Sequence, residues 1–155
     1  ARDMKVARKL ASQFISDYFE RQPGVHAYVE RTLEVAREKG EVRTLLGRRR
    51  LVPDVKSSSR GVRSQAERAA RATPVQGSAA DLIKLAMLRV DAVLADRFPE
   101  ARLILQVHDE LLVEAPEDRA EDVAALVKQQ MESVYPLSVP LEADAHVGRN
   151  WDDAH

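Results

Sequence analysis

Two short apolar runs separated by a polar turn constrain the fold of this chain more than any other feature. Residues 103–107 read LILQV and residues 111–113 read LLV, with His108-Asp109-Glu110 between them. Each run is too short for a stable isolated helix, and a single turn joins the two, which favours an antiparallel β-hairpin. The sequence therefore predicts a hairpin with His, Asp and Glu at its tip.

Helical periodicity predominates in the rest of the chain. Apolar residues recur every three or four positions in five stretches, which predict helices over residues 5–19, 25–36, 60–72, 78–94 and 119–134. We expect Pro23-Gly24 and Pro74 to separate neighbouring helices, and Gly40 stands where a helix C-cap glycine is common. Further strands are predicted over residues 41–46, 50–52 and 139–147. This order predicts an α+β fold in which an antiparallel sheet is backed by a helix.

The charged residues are distributed unevenly along the 155 residues. The formal net charge is −1, yet residues 1–75 carry a net charge of +8 and residues 76–155 a net charge of −9. Four arginines of the predicted third helix project to one side, opposite a side of alanines: Arg60, Arg63 and Arg71, with Arg68 adjacent. Such a face is either solvated or binds a polyanion, because local charge sets the potential at a phosphate.

The tip of the predicted hairpin is unusually acidic for a tight turn. Asp109 and Glu110 are adjacent carboxylates that repel each other unless a cation offsets their charge. Carboxylate oxygens suit Mg²⁺, which typically takes one or two protein carboxylates together with substrate phosphates. An ordinary solvated turn is the alternative interpretation. A two-metal site would need a further carboxylate from elsewhere, because Asp109 alone cannot hold both ions.

Several classes of site and protein are excluded by composition and spacing. The absence of cysteine excludes disulfide scaffolds and Cys-ligated metal sites. The other histidines show no metal-binding spacing, and neither a Gly-rich phosphate loop nor a nucleophile elbow is present. No apolar run approaches the roughly 18 residues of a membrane span. We therefore expect no membrane partner.

Several motifs in order along the chain resemble the C-terminal part of family A DNA polymerases, the bacterial DNA polymerase I type. The motifs are GRRR (residues 47–50), VPD (52–54), AERAA (66–70), PVQGSAAD (74–81), LQVHDEL (105–111), YPL (135–137) and VPLE (139–142). The resemblance covers nearly the whole chain. It implies helices of the fingers subdomain plus an antiparallel palm sheet made of a β-hairpin, a helix and a strand. Partial fingers would occupy residues 1–100 and the palm portion residues 101–155. The fingers part includes the two short strands around Gly47, which carry Arg48, Arg49 and Arg50 and which we call the Arg-rich hairpin.

The resemblance also implies roles for individual residues. Asp109 would be the second metal-binding aspartate, with Glu110 as a supporting carboxylate. The residues implied to contact DNA are His108, Arg68, Gln76, Arg48, Arg50, Arg60 and Arg63. His108 would approach the primer terminus, and Arg68 and Gln76 would contact the minor-groove side of the nascent pair. Arg48 and Arg50 would either lie near substrate phosphates or hold the surrounding structure.

The sequence departs from the family pattern in two ways. Ala72 stands where the family usually has Asn, and Arg71 where it usually has an apolar residue, so one minor-groove contact is missing. The family's first catalytic aspartate and its fingers helix that binds the incoming nucleotide do not occur in these residues. The resemblance therefore implies a fragment of the enzyme. We expect the missing N-terminal part to complete the site, and the fragment alone to be inactive.

The resemblance implies template-directed transfer of deoxynucleotides to a primer 3′-OH in DNA replication or repair. The expected partners are primer–template DNA, deoxynucleoside triphosphates and the missing N-terminal part of the polymerase, and the expected cofactor is Mg²⁺, with two ions in the complete enzyme. The expected location is cytoplasmic and nucleoid-associated. Two alternatives stay open: a non-catalytic primer–template DNA-binding module, and a degenerate remnant without DNA affinity.

Overall fold

The computed structural model describes residues 7–154. Its helices are α1 (Arg8–Arg21), α2 (Pro23–Lys39), α3 (Arg60–Arg97), α4 (Ala120–Glu132) and α5 (Trp151–Ala154), with single 3₁₀ turns at Pro53–Lys56 and Glu117–Arg119. Its strands are β1 (Glu41–Arg43), β2 (Arg49–Leu51), β3 (Arg102–Val107) and β4 (Glu110–Glu114). The strands form two separate antiparallel hairpins, β1–β2 and β3–β4. The predicted α+β class is confirmed. Within residues 7–154, no helix is both long and apolar enough to cross a bilayer.

The chain divides into two compact units. The first unit is Ala1–Val75 and the second is Gln76–His155, with the boundary inside α3. The assignment of residues 1–100 to fingers and 101–155 to palm stays a prediction.

The core of the first unit joins α2 and α3 to the β1–β2 hairpin. The buried residues are Leu33, Ala36, Val42, Val52, Val55 and Ala70. Helix α2 ends where the sequence predicts, because Gly40 adopts the left-handed conformation (φ 69°) and its N–H donates to the Ala36 carbonyl over 2.9 Å. This termination turns the chain directly into β1.

The core of the second unit lies between α4, the C-terminal half of α3 and the β3–β4 hairpin. The buried residues are Val90, Leu94, Phe98, Ala101, Val123, Leu126 and Val127. Leu111 and Val113 of β4 pack against them from the sheet. The predicted arrangement of a hairpin backed by a helix is therefore confirmed, and it anchors the hairpin whose turn holds Asp109.

Pro74 does not end a helix, so the prediction of two helices over 60–72 and 78–94 is wrong. Proline lacks an N–H and therefore removes one hydrogen bond from the interior of α3, which usually breaks a helix. The Thr73 hydroxyl donates to the Ala69 carbonyl over 2.7 Å in this turn. Ala70 before the proline and Val90 after it are buried in their respective cores. Each half of α3 therefore packs in the core of one unit.

The predicted final strand over residues 139–147 is also wrong. An extended segment becomes a strand only when its backbone pairs with a neighbouring strand. The structure assigns no regular secondary structure to these residues, and the Ala143 N–H donates to the Glu132 carboxylate over 3.1 Å instead.

Candidate metal-ligating turn and nucleic-acid interface

Two of the predicted site residues, His108 and Asp109, form the two-residue turn between β3 and β4. Val107 pairs with Glu110 at the last position of the ladder. His108 has a φ of 51°, the left-handed conformation that tight hairpin turns require, although glycine or asparagine usually occupies it. The Gln106 side-chain amide donates a hydrogen bond to the His108 carbonyl. The structure thus presents Asp109 as an exposed carboxylate on a defined turn, as the sequence predicts.

The turn supplies hard oxygen ligands but not a complete metal site. Asp109 is exposed and Glu110 is half-buried at the start of β4. Among residues 7–154, no group of three or more His, Asp or Glu side chains is arranged to hold a metal ion. Because Mg²⁺ takes one or two protein carboxylates with other oxygen ligands, the chemistry of the turn suits a single ligand of such a site. A second carboxylate would have to come from elsewhere.

The N-terminal half of α3 carries the predicted basic face. Arg60, Arg68 and Arg71 are exposed, whereas Arg63 is half-buried. The Arg63 guanidinium donates to the Ser57 carbonyl over 2.8 Å, and that of Arg68 donates to the Ser64 hydroxyl over 3.3 Å. Arg63 therefore also holds the segment before α3, and the assignment of Arg60 and Arg63 to DNA contacts stays a prediction.

Glu67, an acidic residue on the same helix, lies close to arginines of both α2 and α3. Arg37 of α2 donates to the Glu67 carboxylate over 2.8 Å. This hydrogen bond lowers the pKa of Glu67 below its ordinary value, while desolvation opposes it and the charges of Arg37, Arg71 and Arg63 lower it further. The sequence did not predict this pair, because residues 30 positions apart meet only in the folded chain.

The Arg-rich hairpin directs its arginines to different partners. Arg49 Nε lies 3.5 Å from the Glu41 carboxylate. The backbone N–H of Arg48 donates to the Thr44 hydroxyl over 3.0 Å. Arg50 Nη1 donates to the hydroxyl of Thr73, over 3.1 Å. This bond is one contact by which Arg50 can hold the surrounding structure, and the choice between the two roles of Arg48 and Arg50 stays a prediction. The sequence did not predict this contact of Thr73. The one local sign in the sequence is its position immediately before Pro74.

Gln76 lies on α3, two residues after Pro74. Arg68 lies on the same helix, because the helix runs through the proline. The assignment of Arg68, Gln76 and His108 to DNA contacts stays a prediction.

Comparison with known proteins yields a consistent set of relatives. The family model described as "DNA polymerase family A" matches residues 1–153. The chain is 51% identical to the thermostable DNA polymerase I of Thermus filiformis, over 99% of this chain and 18% of that protein. It is 45% identical to DNA polymerase I of Lactococcus lactis subsp. cremoris, again over 99% of this chain and 18% of that protein. The chain therefore spans less than a fifth of the length of these relatives.

A solved structure is similar over the same residues. The POL domain of Pol1 from M. smegmatis, in complex with DNA primer-template and dNTP, superimposes with a TM-score of 0.93 at 45% identity. The superposition covers 99% of this chain and 27% of that chain.

Proposed function

Because this chain belongs to DNA polymerase family A, we propose that it forms part of an enzyme that transfers deoxynucleotides to a primer 3′-OH under the direction of a DNA template. The observation that carries this proposal is the similarity, with a TM-score of 0.93, to a polymerase domain bound to primer–template and dNTP. Primer–template DNA and deoxynucleoside triphosphates are the substrates that we propose. The proposed location is the cytoplasm, in association with the nucleoid.

The chemistry that we assign to this chain is centred on the β3–β4 turn. Two Mg²⁺ ions, when bound, stabilise the attacking and leaving oxygens of a phosphoryl transfer. Asp109 would supply one carboxylate ligand to them, and Glu110 would support the negative potential beside it. Gln106 would keep the turn in place through its bond to the His108 carbonyl. A further carboxylate would come from another part of the polymerase, and we propose that this chain alone does not polymerise.

The proposed DNA contacts fall into two groups. Arg60 and Arg63 would bind phosphates of the template–primer backbone without reading sequence. Arg68 and Gln76 would donate to minor-groove acceptors, which are nearly the same for every correct base pair. Donors at these positions would therefore test the geometry of a pair rather than its identity.

The catalytic proposal is tested in a hybrid polymerase. We would replace the matching segment of Thermus filiformis DNA polymerase I with this chain and measure incorporation of labelled nucleotide on a primer–template. We expect activity in the hybrid, and a loss of about 1,000-fold in Asp109→Asn, because a metal ligand contributes several kcal/mol to transition-state stabilisation. Asp96→Asn, an exposed carboxylate near the end of α3, is the matched control and should retain activity. Retained activity in Asp109→Asn would refute the role of Asp109.

The basic face of α3 favours a second candidate function, a non-catalytic DNA-binding module. Phosphate contacts release counterions, so the logarithm of affinity should fall linearly with the logarithm of salt concentration, by about 0.9 per contact. Measured by fluorescence anisotropy on the 155-residue chain, Arg60→Gln with Arg63→Gln should reduce this slope by about 2. Arg97→Gln, an exposed arginine at the end of the same helix, is the control. A DNA affinity that does not change with salt concentration would exclude this candidate.

A further inference from the structure

The hydroxyl of Thr73, a residue of α3 in the first unit, makes two hydrogen bonds. It donates to the Ala69 carbonyl over 2.7 Å and accepts from Arg50 Nη1 of β2 over 3.1 Å. Because the single proton of the hydroxyl goes to Ala69, the oxygen lone pairs are left for a donor such as the guanidinium. Thr73 is buried, so water competes little for this position. The hydroxyl is therefore a fixed acceptor for Arg50.

Arg50 reaches Thr73 from the core-facing side of the Arg-rich hairpin. Its partner in the β1–β2 ladder is Val42, which is buried, and directly paired residues project to the same face of a hairpin. Arg50 is nevertheless exposed as a residue. A guanidinium carries five N–H donors, and the bond to Thr73 engages Nη1. The bond therefore fixes the guanidinium at one nitrogen, and other N–H groups of the fork can donate to an anion.

The fixed guanidinium lies next to a side of α3 that carries an arginine and an alanine. Arg68 and Ala72 are four residues apart, so they lie on the same side of the helix, about 40° from each other. Arg68 is exposed, and Ala72 has no side-chain donor. Thr73 follows Ala72 directly, so its bond brings Arg50 beside that position. The positive charges of Arg50 and Arg68 favour a phosphate group there.

We propose that Thr73 is a positioning residue, which holds the Arg50 guanidinium so that it donates to a phosphate of the primer–template backbone. The inference rests on the proposed function, because this phosphate belongs to the DNA substrate of the polymerase. Arg50 would hold the hairpin to α3 and bind phosphate at the same time, and Thr73 would act through Arg50 without touching DNA. A guanidinium fork matches the oxygens of a phosphate, and a fork that is already held loses less side-chain entropy on binding.

The experiment uses the hybrid polymerase in which this chain replaces the matching segment of Thermus filiformis DNA polymerase I. Primer–template affinity is measured by fluorescence anisotropy, well below the thermal midpoint of every variant. We expect Thr73→Val to weaken binding by about 5-fold, because the released guanidinium must then be ordered when phosphate binds. Thr73→Ser, which keeps the hydroxyl, should restore the affinity of the unmodified hybrid. In steady-state incorporation, the KM for primer–template should rise by a similar factor while kcat is unchanged.

Arg50→Gln supplies a second measurement. Loss of its phosphate contact should reduce the slope of log affinity against log salt concentration by about 1. In the Arg50→Gln background, Thr73→Val should cause no further loss of affinity, because Thr73 acts only through Arg50. The matched control is Thr32→Val on α2, since the Thr32 hydroxyl donates to the Tyr28 carbonyl over 2.8 Å, a bond of the same spacing. This control should bind primer–template as tightly as the unmodified hybrid.

The outcomes separate this proposal from the proposed function. A merely structural role for Thr73 would lower the thermal midpoint of Thr73→Val and leave its primer–template affinity unchanged, which would overturn the positioning role. An equal loss of affinity from Thr73→Val in the Arg50→Gln background would overturn it as well. A hybrid whose binding depends on both residues but which incorporates no nucleotide would support the positioning role and refute the proposed function. A hybrid that binds no primer–template would overturn both.

Discussion

Replacement of Thr73 by valine should destabilise the chain, because the hydroxyl of this residue connects the Arg-rich hairpin to α3. Thr73 is buried, with 7% of its surface exposed, and its hydroxyl accepts from Arg50 over 3.1 Å and donates to the Ala69 carbonyl over 2.7 Å. Each neutral hydrogen bond contributes about 0.5–1.5 kcal/mol net, and one to a charged group somewhat more. The Arg50 residue is exposed, so its guanidinium can return to water when the bond is lost. We therefore expect a loss of about 1–2 kcal/mol.

This loss corresponds to a measurable change in the thermal midpoint. An unfolding entropy of about 2.1 cal/mol/K per residue predicts a decrease of about 3–6 °C for a chain of this length. Circular dichroism at 222 nm during heating measures it, and Thr73→Ser, which keeps the hydroxyl, is the control. A double-mutant cycle with Arg50→Met should give a coupling energy of about 1 kcal/mol. A decrease below about 1 °C, or additive single effects, would refute the connection between hairpin and helix.

Three further predictions concern stability. Gly40→Ala should lower the free energy of unfolding, measured by urea denaturation, by about 1–2 kcal/mol. The space around Gly40 is open, but a side chain is strained at φ 69°. An unchanged urea midpoint would contradict this prediction. Because the pKa of Glu67 is lowered in the folded state, its pair with Arg37 stabilises the fold above the ordinary pKa of a glutamate, and this stability is lost as the pH falls through the folded pKa. Arg37→Met should therefore flatten the decline of the unfolding midpoint on acidification. An identical pH profile for the variant would exclude the pair. Leu94→Ala should lower the free energy of unfolding by about 2–5 kcal/mol, because the side chain is buried. Leu88→Ala, at an exposed position of the same helix, should lower it little. Equal losses in the two variants would show that the core is misassigned.

Local features of the fold were predictable because their causes lie within a few residues of each other. The β3–β4 hairpin follows from two apolar runs around a turn, and the end of α2 from a glycine that tolerates positive φ. Both predictions are confirmed, and the position of Asp109 on the turn follows from the first. The strand over residues 139–147 failed for the complementary reason, since a strand needs a partner that its own residues do not specify.

The sequence by itself determined most of the helical segments, where the acidic turn lies, and the family, because periodicity, turn residues and motifs are read along the chain. Only the tertiary structure decided what those segments contact. Periodicity predicted α1 as a helix but could not show that Leu10, Phe14 and Tyr18 are exposed. Proline chemistry favoured a break at Pro74, yet α3 continues through it, with buried residues in each half. The sequence also could not show that Arg50 lies within hydrogen-bond distance of Thr73, because contacts between residues distant in sequence depend on packing and not on local pattern.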